Sequence, residues 1–300
     1  MTLSCCWSEC SLDPDNRSHY GIATLLNNAL DRAELGFIHR NGFKELPPDT
    51  EGAVVIVHGA HEATNVNQVV NNIERLTWSV VIVIGDEAAV FQTDRLYGPR
   101  RKVWIQMPVP GKHDRADRRL ICGYPHDAPS FLEHGRGLER IFNWSYAGQV
   151  NHAWRKQCVE VLRSLHNGYL FESPRFWDGI PRDEYYKVLA QSKVVACPPG
   201  AATPDTLRIA EALEAGCIPI ADDRWPPGFG RPGMMGYWRY VLGEEPPFPI
   251  LSNWRDFPEL MSHQLIDWEE KTAKMQTWWQ NYKGRMREWL REDVTAVMNR

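Results

Sequence analysis

The apolar positions in the first half of the chain form short continuous runs. Residues 52–58 and 78–84 consist mostly of valine and isoleucine, which is typical of strands that are buried on both faces of a parallel sheet. Residues 66–76 between them follow a helical period. Further strands are predicted at 102–107 and 119–123, and a helix at 20–35. Strands that alternate with helices predict a doubly wound parallel sheet.

The second half of the chain repeats this alternation. In chain order, the pattern predicts a strand and turn at 143–150, a helix at 151–165, a strand that begins at 169–171, a helix at 183–192, a strand at 193–197, a helix that begins at 203–205 and ends at 216, and a strand at 217–221. Residues 261–298 carry bulky apolar side chains at helical spacing and predict a long helix with one face in a core.

The helix that follows residues 193–197 carries the strongest functional signal. Thr203 is a suitable N-cap, and a turn rich in proline and glycine precedes it. Arg208 and Glu211 are three residues apart, so they share a face that differs from the apolar one. A helix N-terminus with an arginine one turn in favours a diphosphate, and the carboxylate further along suits a ribose diol. The alternative is a surface Arg–Glu pair without function.

This block resembles the nucleotide-sugar-binding half of exostosin-type glycosyltransferases of the GT-B fold. The similarity covers about residues 142–262 and is strongest at 193–221. The residues that carry it in the block are Pro199, Gly200, Thr206, Arg208, Glu211, Ala212, Leu213, Gly216, Cys217, Ile218 and Pro219. The resemblance implies that Gly200 and the following N–H groups meet the diphosphate, that Arg208 supports it and that Glu211 holds the ribose.

Two further segments enter through the same resemblance. The turn at Tyr146, Ala147 and Gly148, with Arg155 downstream, is similar to the family's loop and arginine that help to bind the donor phosphates. For Arg155 the alternative is an exposed helical residue. Asp222 is interpreted as a residue at the edge of the donor site that holds no metal.

The resemblance also sets the expected mechanism and architecture. Many GT-B enzymes, often retaining ones, carry a second glutamate eight positions before the ribose-binding one, and Thr203 stands there in this chain. An inverting transfer without an essential metal or other cofactor is therefore expected. The predicted architecture is an acceptor-side Rossmann-like domain at 1–141, a donor-binding domain at 142–262, and a C-terminal helix at 263–300 that crosses back to the first domain.

The prediction of catalytic residues on the acceptor side depends on the predicted sheet topology alone. Ligands gather beyond the carboxyl ends of parallel strands, where His61 and Glu62 follow one predicted strand and Asp86 and Glu87 follow another. One of them is expected to be the general base, in the order Asp86, Glu87, then Glu62 or His61. The alternative is that Asp86 and Glu87 only cap the next helix.

Basic residues are dense between 95 and 119, and Arg95, Arg100, Arg101 and Lys102 open this stretch. Interleaved aspartates favour an ordinary solvated surface. The alternative is a strip that tracks the phosphates of a DNA acceptor, because some bacteriophage GT-B enzymes glycosylate hydroxymethylated bases. A cell-surface glycan is the other acceptor expected.

The composition narrows the classes of protein to which this chain could belong. Of the 300 residues, 43% are hydrophobic, and the net charge of −4 with a pI near 6.2 argues against a protein that coats nucleic acid. Neither a membrane-spanning run nor a signal peptide is predicted, so we expect a cytoplasmic protein. The cluster of Cys5, Cys6 and Cys10 with His19 matches no common zinc spacing.

Two other functions remain open from the sequence. One is a different nucleotide-dependent Rossmann enzyme such as an epimerase or dehydrogenase, although no G-x-G-x-x-G follows the first strand. The other is a nucleic-acid-binding module with a degenerate donor site. Aromatic residues between 224 and 249, namely Trp225, Phe229, Tyr237 and Trp238, either stack on a sugar or anchor their loop.

Overall fold

The chain divides into two units, which we describe from a computed structural model. The structure describes residues 3–8, 30, 35–124, 128–135, 137–175, 178–228 and 233–299. The first unit comprises residues 1–125 and 282–300, and the second comprises residues 126–281. The predicted helix at 20–35, together with Cys10, His19 and Phe229, lies almost entirely outside the described residues.

The first unit contains a six-stranded parallel sheet with the order β2-β1-β3-β4-β5-β6. Its strands are β1 Leu3–Trp7, β2 Phe37–Asn41, β3 Gly52–His58, β4 Trp78–Ile84, β5 Arg101–Gln106 and β6 Arg118–Leu120. Its helical segments are α1 Gly59–Glu62, α2 Val66–Glu74 and the 3-10 turns Phe43–Glu45 and Thr93–Leu96. The predicted strands and the helix after β3 are confirmed. The first two strands were not predicted, because they lack a long β-branched run.

Burial explains why the predicted strands are the apolar ones. Every residue of β3 and β4 is buried, since helices and other strands cover the sheet. Helix α2 places Val66, Val69, Val70 and Ile73 on one face, and these side chains join the core cluster on the sheet. The helical period of 66–76 thus records the face that the sheet buries.

The second unit contains a five-stranded parallel sheet with the order β11-β10-β9-β7-β8. Its strands are β7 Phe142–Gln149, β8 Gly168–Ser173, β9 Ser192–Cys197, β10 Ile218–Asp222 and β11 Ile250–Leu251. Its helices are α3 Ala128–His134, α4 Ala153–Leu162, α5 Arg182–Ala190, α6 Leu207–Glu214, α7 Tyr237–Leu242 and α8 Phe257–Leu265, with a 3-10 turn at Trp254–Asp256. Two parallel α/β sheets with interleaved helices confirm the predicted GT-B-like class.

The start of α6 differs from the prediction. Residues 201–206 form a folded loop, and Thr206 rather than Thr203 precedes the first helical residue. Asp205 explains the later start of the helix. Its carboxylate accepts hydrogen bonds from the Thr206 backbone N–H at 2.8 Å and from the Tyr237 hydroxyl at 3.3 Å. The loop therefore has its own tertiary partners, and the helix begins only where they end.

Residues 126–141 belong to the second unit, although the sequence placed the boundary after 141. Arg140 ties this segment down, because its guanidinium donates to the carbonyl oxygens of Leu189 at 3.0 Å, Ser192 at 2.7 Å and Ala215 at 2.7 Å. Two of these carbonyls lie at the C-terminal ends of α5 and α6, where helix carbonyls lack partners of their own. A basic side chain there is also favoured by the helix dipole.

Helix α9, Trp268–Met298, belongs to both units. In its first part, Trp279 donates from Nε1 to Glu214 at 2.6 Å, within the second unit. In its last part, Asp293 accepts from Trp104 Nε1 at 2.8 Å, within the first unit. Residues 282–298 of this helix thus belong to the first unit, and Asp267, with a φ of 52°, separates the helix from α8. In the described part of the chain, none of the helices has the length and apolarity needed to cross a membrane.

Candidate donor-binding site

The strand order of the second sheet creates a crevice at its carboxyl edge. β7 lies between β8 and β9, so the chain leaves β7 toward one side of the sheet and later returns on the other. Loops after two such strands diverge, and ligands of open α/β sheets bind in the gap between them. Here the two loops are residues 150–152 after β7 and residues 198–206 after β9.

Arg155 and His152 fasten these two loops together. Arg155 donates from Nε to the Pro199 oxygen at 2.9 Å and from Nη1 to the Gln149 oxygen at 3.1 Å. His152 Nε2 lies 3.2 Å from the Pro199 oxygen and 3.1 Å from the Gly200 oxygen. Because carbonyls only accept, the His152 ring carries its proton on Nε2. Burial and, second, the charge of Arg155 lower the pKa of His152 to about 4, so the ring is neutral.

Gly200 is required by packing. A Cβ on this residue would lie 2.3 Å from the backbone carbonyl oxygen of Asp205 and 3.0 Å from that of Thr203. Any side chain at position 200 would therefore push the loop away from the start of α6.

Arg208 projects from the first turn of α6 toward the end of β7. Its Nε donates to the Ala147 oxygen at 2.9 Å, Nη1 lies 3.4 Å from Thr206 Oγ1, and the guanidinium carbon is 4.9 Å from the centre of the Tyr146 ring. A Cβ on Gly148 would lie only 1.7 Å from Arg208 Nη2. The glycine thus clears the space that the guanidinium occupies.

Glu211 lies one turn further along α6 and is only 5% exposed. Its Oε2 accepts from the Tyr185 hydroxyl at 2.6 Å, and its Oε1 is 3.4 Å from the Tyr186 hydroxyl. Burial raises the pKa of Glu211, while the Tyr185 hydrogen bond and the charge of Arg208 oppose that rise. The carboxylate is therefore held by side chains of α5.

These groups surround a pocket of about 230 Å³. Five predicted donor residues line it: Gly148, Arg155, Thr206, Arg208 and Glu211. The others that line it are Ala147, Gln149, Phe171, Ser173, Gly179, Ile180, Arg182, Tyr185 and Leu207. The pocket thus joins a cationic wall to a carboxylate, with apolar side chains beside them, an arrangement that fits a nucleoside diphosphate.

Sequence reasoning missed the contribution of β8 and α5 to this pocket. Phe171, Ile180, Arg182 and Tyr185 lie 20 to 40 residues before the Arg208–Glu211 helix in the chain, and only the pairing of β8 with β7 brings them there. The signal in the sequence is the pair Tyr185–Tyr186, two phenols on a helix otherwise rich in charge.

Three predicted donor residues do not line the pocket. Gly200 and Thr203 shape the loop, and the Thr203 side chain is fully buried. Asp222 is also fully buried, and it accepts from Arg224 Nη2 at 2.6 Å and Trp254 Nε1 at 2.8 Å. Asp222 thus forms a buried ion pair with Arg224 at the end of β10, and its place at the edge of the donor site stays a prediction.

The aromatic residues after β10 anchor their loop. Trp225, Tyr237 and Trp238 are buried, and the rings of Tyr237 and Trp238 meet edge to face at 5.3 Å. Asp223 fixes the same region, because its oxygens accept from the backbone N–H groups of Gly236 at 2.5 Å and Trp238 at 3.0 Å. Of the two uses that the sequence allowed, loop anchoring is the one these contacts support.

The candidate bases lie at the carboxyl ends of β3 and β4 in the first unit. Asp86 is buried, and its two oxygens accept from the backbone N–H groups of Val90 at 2.8 Å and Phe91 at 3.0 Å. Burial raises the pKa of Asp86, and these hydrogen bonds oppose the rise. Glu62 is buried, Glu87 is half-buried and His61 is exposed. These contacts tie Asp86 to the loop after β4, whereas the alternative from the sequence was a cap of the next helix; the role of Asp86 as general base stays a prediction.

Basic side chains of the first unit donate hydrogen bonds to other groups of the same unit. Arg95 donates to Asn67, Arg100 to the carbonyl oxygens of Val297 and Met298 at the end of α9, and Lys102 to Asp117 at 2.7 Å. Arg101 and Lys102 open β5, and therefore lie at the amino edge of the sheet, opposite the edge where ligands gather. This placement favours the surface interpretation over a strip for DNA.

Among the described residues, no group of three or more histidine, cysteine or acidic side chains is arranged to hold a metal ion. Cys5 and Cys6 are buried in β1. Their suggested partners Cys10 and His19 lie outside the described residues, so the zinc hypothesis stays a hypothesis.

Comparisons with known proteins bear on the family. No curated protein sequence matches this chain. Among solved structures, the chain is similar to a crystal structure of an alpha1,3-fucosyltransferase, at 12% identity and a TM-score of 0.46 over 92% of this chain and 81% of that one. The family profile described as "RXYLT1 C-terminal domain" matches residues 143–299, which is more than half of the chain. This protein therefore belongs to the RXYLT1 C-terminal domain family, a family related to the exostosin glycosyltransferases.

Proposed function

We propose that this protein transfers a sugar from a nucleotide-diphosphate sugar to an acceptor hydroxyl. The observation that carries the proposal is the pocket wall formed by Arg208 and Glu211, with Gly148 leaving room for the guanidinium. A guanidinium binds diphosphate oxygens through charge-assisted hydrogen bonds, and a carboxylate accepts hydrogen bonds from the ribose hydroxyls. The glycosyltransferase relationship of the family supports sugar transfer in general.

The same wall suits the departure of the nucleotide. When the bond to the sugar breaks, negative charge develops on the leaving diphosphate. The N–H groups at the start of α6 and the Arg208 guanidinium would stabilise that charge, which a metal ion does in other enzymes. We therefore propose that transfer does not require a metal ion. Inversion is proposed because Thr203 stands at the sequence position where many GT-B enzymes, often retaining ones, have a glutamate, so that carboxylate is missing from this position.

For the acceptor we propose a glycan hydroxyl. The contacts of Arg95, Arg100 and Lys102 within the chain leave the DNA alternative without an observation that favours it. The identity of the general base stays a prediction. We propose His61 as the first candidate, because it is exposed at the carboxyl end of β3, whereas both Asp86 oxygens accept from backbone groups.

The donor assignment is tested by calorimetry with UDP, GDP and their 2′-deoxy analogues. Arg208→Ala should weaken the binding of the preferred nucleotide by about ten- to a hundredfold, because it removes a charge-assisted contact worth roughly 1.5–3 kcal/mol. Arg239→Ala is the matched control, since that arginine is 70% exposed and pairs with Glu245 in the same unit.

Glu211→Gln separates the ribose contact from the phosphate contact. In the native protein the ribonucleotide should bind more tightly than its 2′-deoxy analogue, and in Glu211→Gln this preference should shrink. Native affinity of a folded Arg208→Ala variant for every nucleotide, or the absence of nucleotide binding by the native protein, would refute the proposed function.

A further inference from the structure

The two tyrosines at the start of α5 contact Glu211 unequally. The Tyr185 hydroxyl donates to Oε2 at 2.6 Å and belongs to a half-buried side chain that lines the pocket. The Tyr186 hydroxyl is 3.4 Å from Oε1, is buried and does not line the pocket.

We propose that Tyr185 is a positioning residue, which holds the Glu211 carboxylate oriented and ionised so that it accepts hydrogen bonds from the ribose of the donor. This inference rests on the proposed function and extends it to a residue outside the family pattern described above. Its basis is the short phenol–carboxylate contact at the wall of the pocket.

The orienting effect of Tyr185 follows from the number of lone pairs on the Glu211 carboxylate. A carboxylate offers about four acceptor positions on its two oxygens. Tyr185 occupies one on Oε2 and thereby fixes the rotation of the carboxylate about its last bond. The positions that remain are then held in one direction before the nucleotide arrives, which lowers the ordering cost of binding.

Ionisation follows from the surroundings of Glu211. The charged and titratable groups that face it are Arg208 on its own helix, Arg182, Tyr185 and Tyr186 on α5, and the Cys197 thiol at the end of β9. Burial raises the pKa of Glu211, and the hydrogen bond from Tyr185 is the largest of the effects that lower it. Removal of that hydroxyl should raise the pKa of Glu211 further, so that the protonated form persists to higher pH.

Protonation changes what the side chain offers to a ribose. An ionised carboxylate only accepts, whereas a protonated carboxyl has lost part of its acceptor capacity and its charge. Nucleotide affinity should therefore decline as the pH falls through the pKa of Glu211. In Tyr185→Phe this decline should occur at higher pH.

The test is nucleotide affinity of the full chain between about pH 5 and about pH 8, measured with UDP and GDP. Tyr185→Phe should bind about three- to tenfold more weakly than the native protein at the acidic end of this range, and the difference should shrink toward the alkaline end. Tyr186→Phe is the matched comparison, because it removes the same atom from the adjacent, longer contact with Glu211, and it should weaken binding clearly less than Tyr185→Phe does.

A ligand-free measurement keeps the two proposals separate. Carbon-13 NMR of labelled glutamate carboxyls, with Glu211→Gln for assignment, gives the titration of Glu211 directly. Its midpoint should rise more in Tyr185→Phe than in Tyr186→Phe, because the hydrogen bond from Tyr185 lowers the pKa of Glu211 more than the one from Tyr186. Binding profiles or midpoints that coincide in all three proteins would overturn the inference, as would equal shifts in the two variants. A shifted midpoint in a protein that binds no nucleotide would overturn the proposed function and reduce Tyr185 to a structural role.

Discussion

The replacement of Gly148 by alanine tests the donor site without deleting any of its polar groups. The new Cβ would lie 1.7 Å from Arg208 Nη2 and 2.8 Å from the guanidinium carbon, far closer than atoms approach without bonding. β7 is paired with β8 at this position, so the strand yields less readily than the flexible arginine. The guanidinium should therefore be pushed off its hydrogen bond to the Ala147 oxygen.

The expected magnitude follows from what Arg208 contributes. A displaced guanidinium loses most of the roughly 1.5–3 kcal/mol expected for a charge-assisted contact, so nucleotide affinity should fall by about ten- to a hundredfold. The double variant with Arg208→Ala should bind only slightly more weakly than either single variant, because both remove the same interaction. Calorimetry gives all four affinities.

Gly179→Ala is the control from the same pocket. Gly179 lines the pocket, but a Cβ built there meets no atom of the described residues within 4 Å. This variant should bind nucleotide with near-native affinity. Native affinity in Gly148→Ala, or full additivity of the Gly148 and Arg208 effects, would refute the steric reasoning.

Two further predictions concern stability. Arg140→Met should lower the free energy of unfolding in urea by about 2 kcal/mol or more, because it leaves the Leu189 and Ala215 carbonyls without their charged donor; an unchanged midpoint would contradict this. His113 Nδ1 accepts from the Val109 N–H at 2.9 Å, and burial lowers the pKa of His113 to about 4 from about 6.5. The neutral ring of His113 therefore stabilises the fold fully above about pH 6.5, and this stabilisation is lost as the pH falls toward 4. His113→Asn keeps an acceptor but does not titrate. Between pH 7 and pH 5, its free energy of unfolding should decrease by about 2 kcal/mol less than that of the native protein. Equal losses in both proteins would contradict the assignment of the neutral ring.

Helix α6 shows where a local sequence pattern predicts the structure correctly. The apolar face of α6, including Ile209, Ala212 and Leu213, is buried as its spacing predicted. Arg208 and Glu211 share the other face, and both line the pocket. Side chains three apart on a helix are neighbours whatever surrounds them, so this part of the site was determined by sequence separation alone.

Aspartates at strand ends show what a local pattern leaves open. Asp86 follows β4 and accepts hydrogen bonds from the backbone N–H groups of Val90 and Phe91. Asp222 ends β10 and accepts from Arg224 and Trp254. An aspartate at a strand end has the same local pattern whether it binds a ligand or ties down a loop. Only the positions of its hydrogen-bond partners distinguish the two roles.

The sequence by itself determined the strands β3 and β4, the alternation of strands and helices, and the face that Arg208 and Glu211 share, because each depends on periodicity within about ten residues. The tertiary structure decided the rest of the donor pocket. Parallel pairing of β7 with β8 and β9 brings α5 and the loop after β9 together, although they are separated along the chain. Tyr185 meets Glu211 across 26 residues of sequence, and no local pattern encodes that contact.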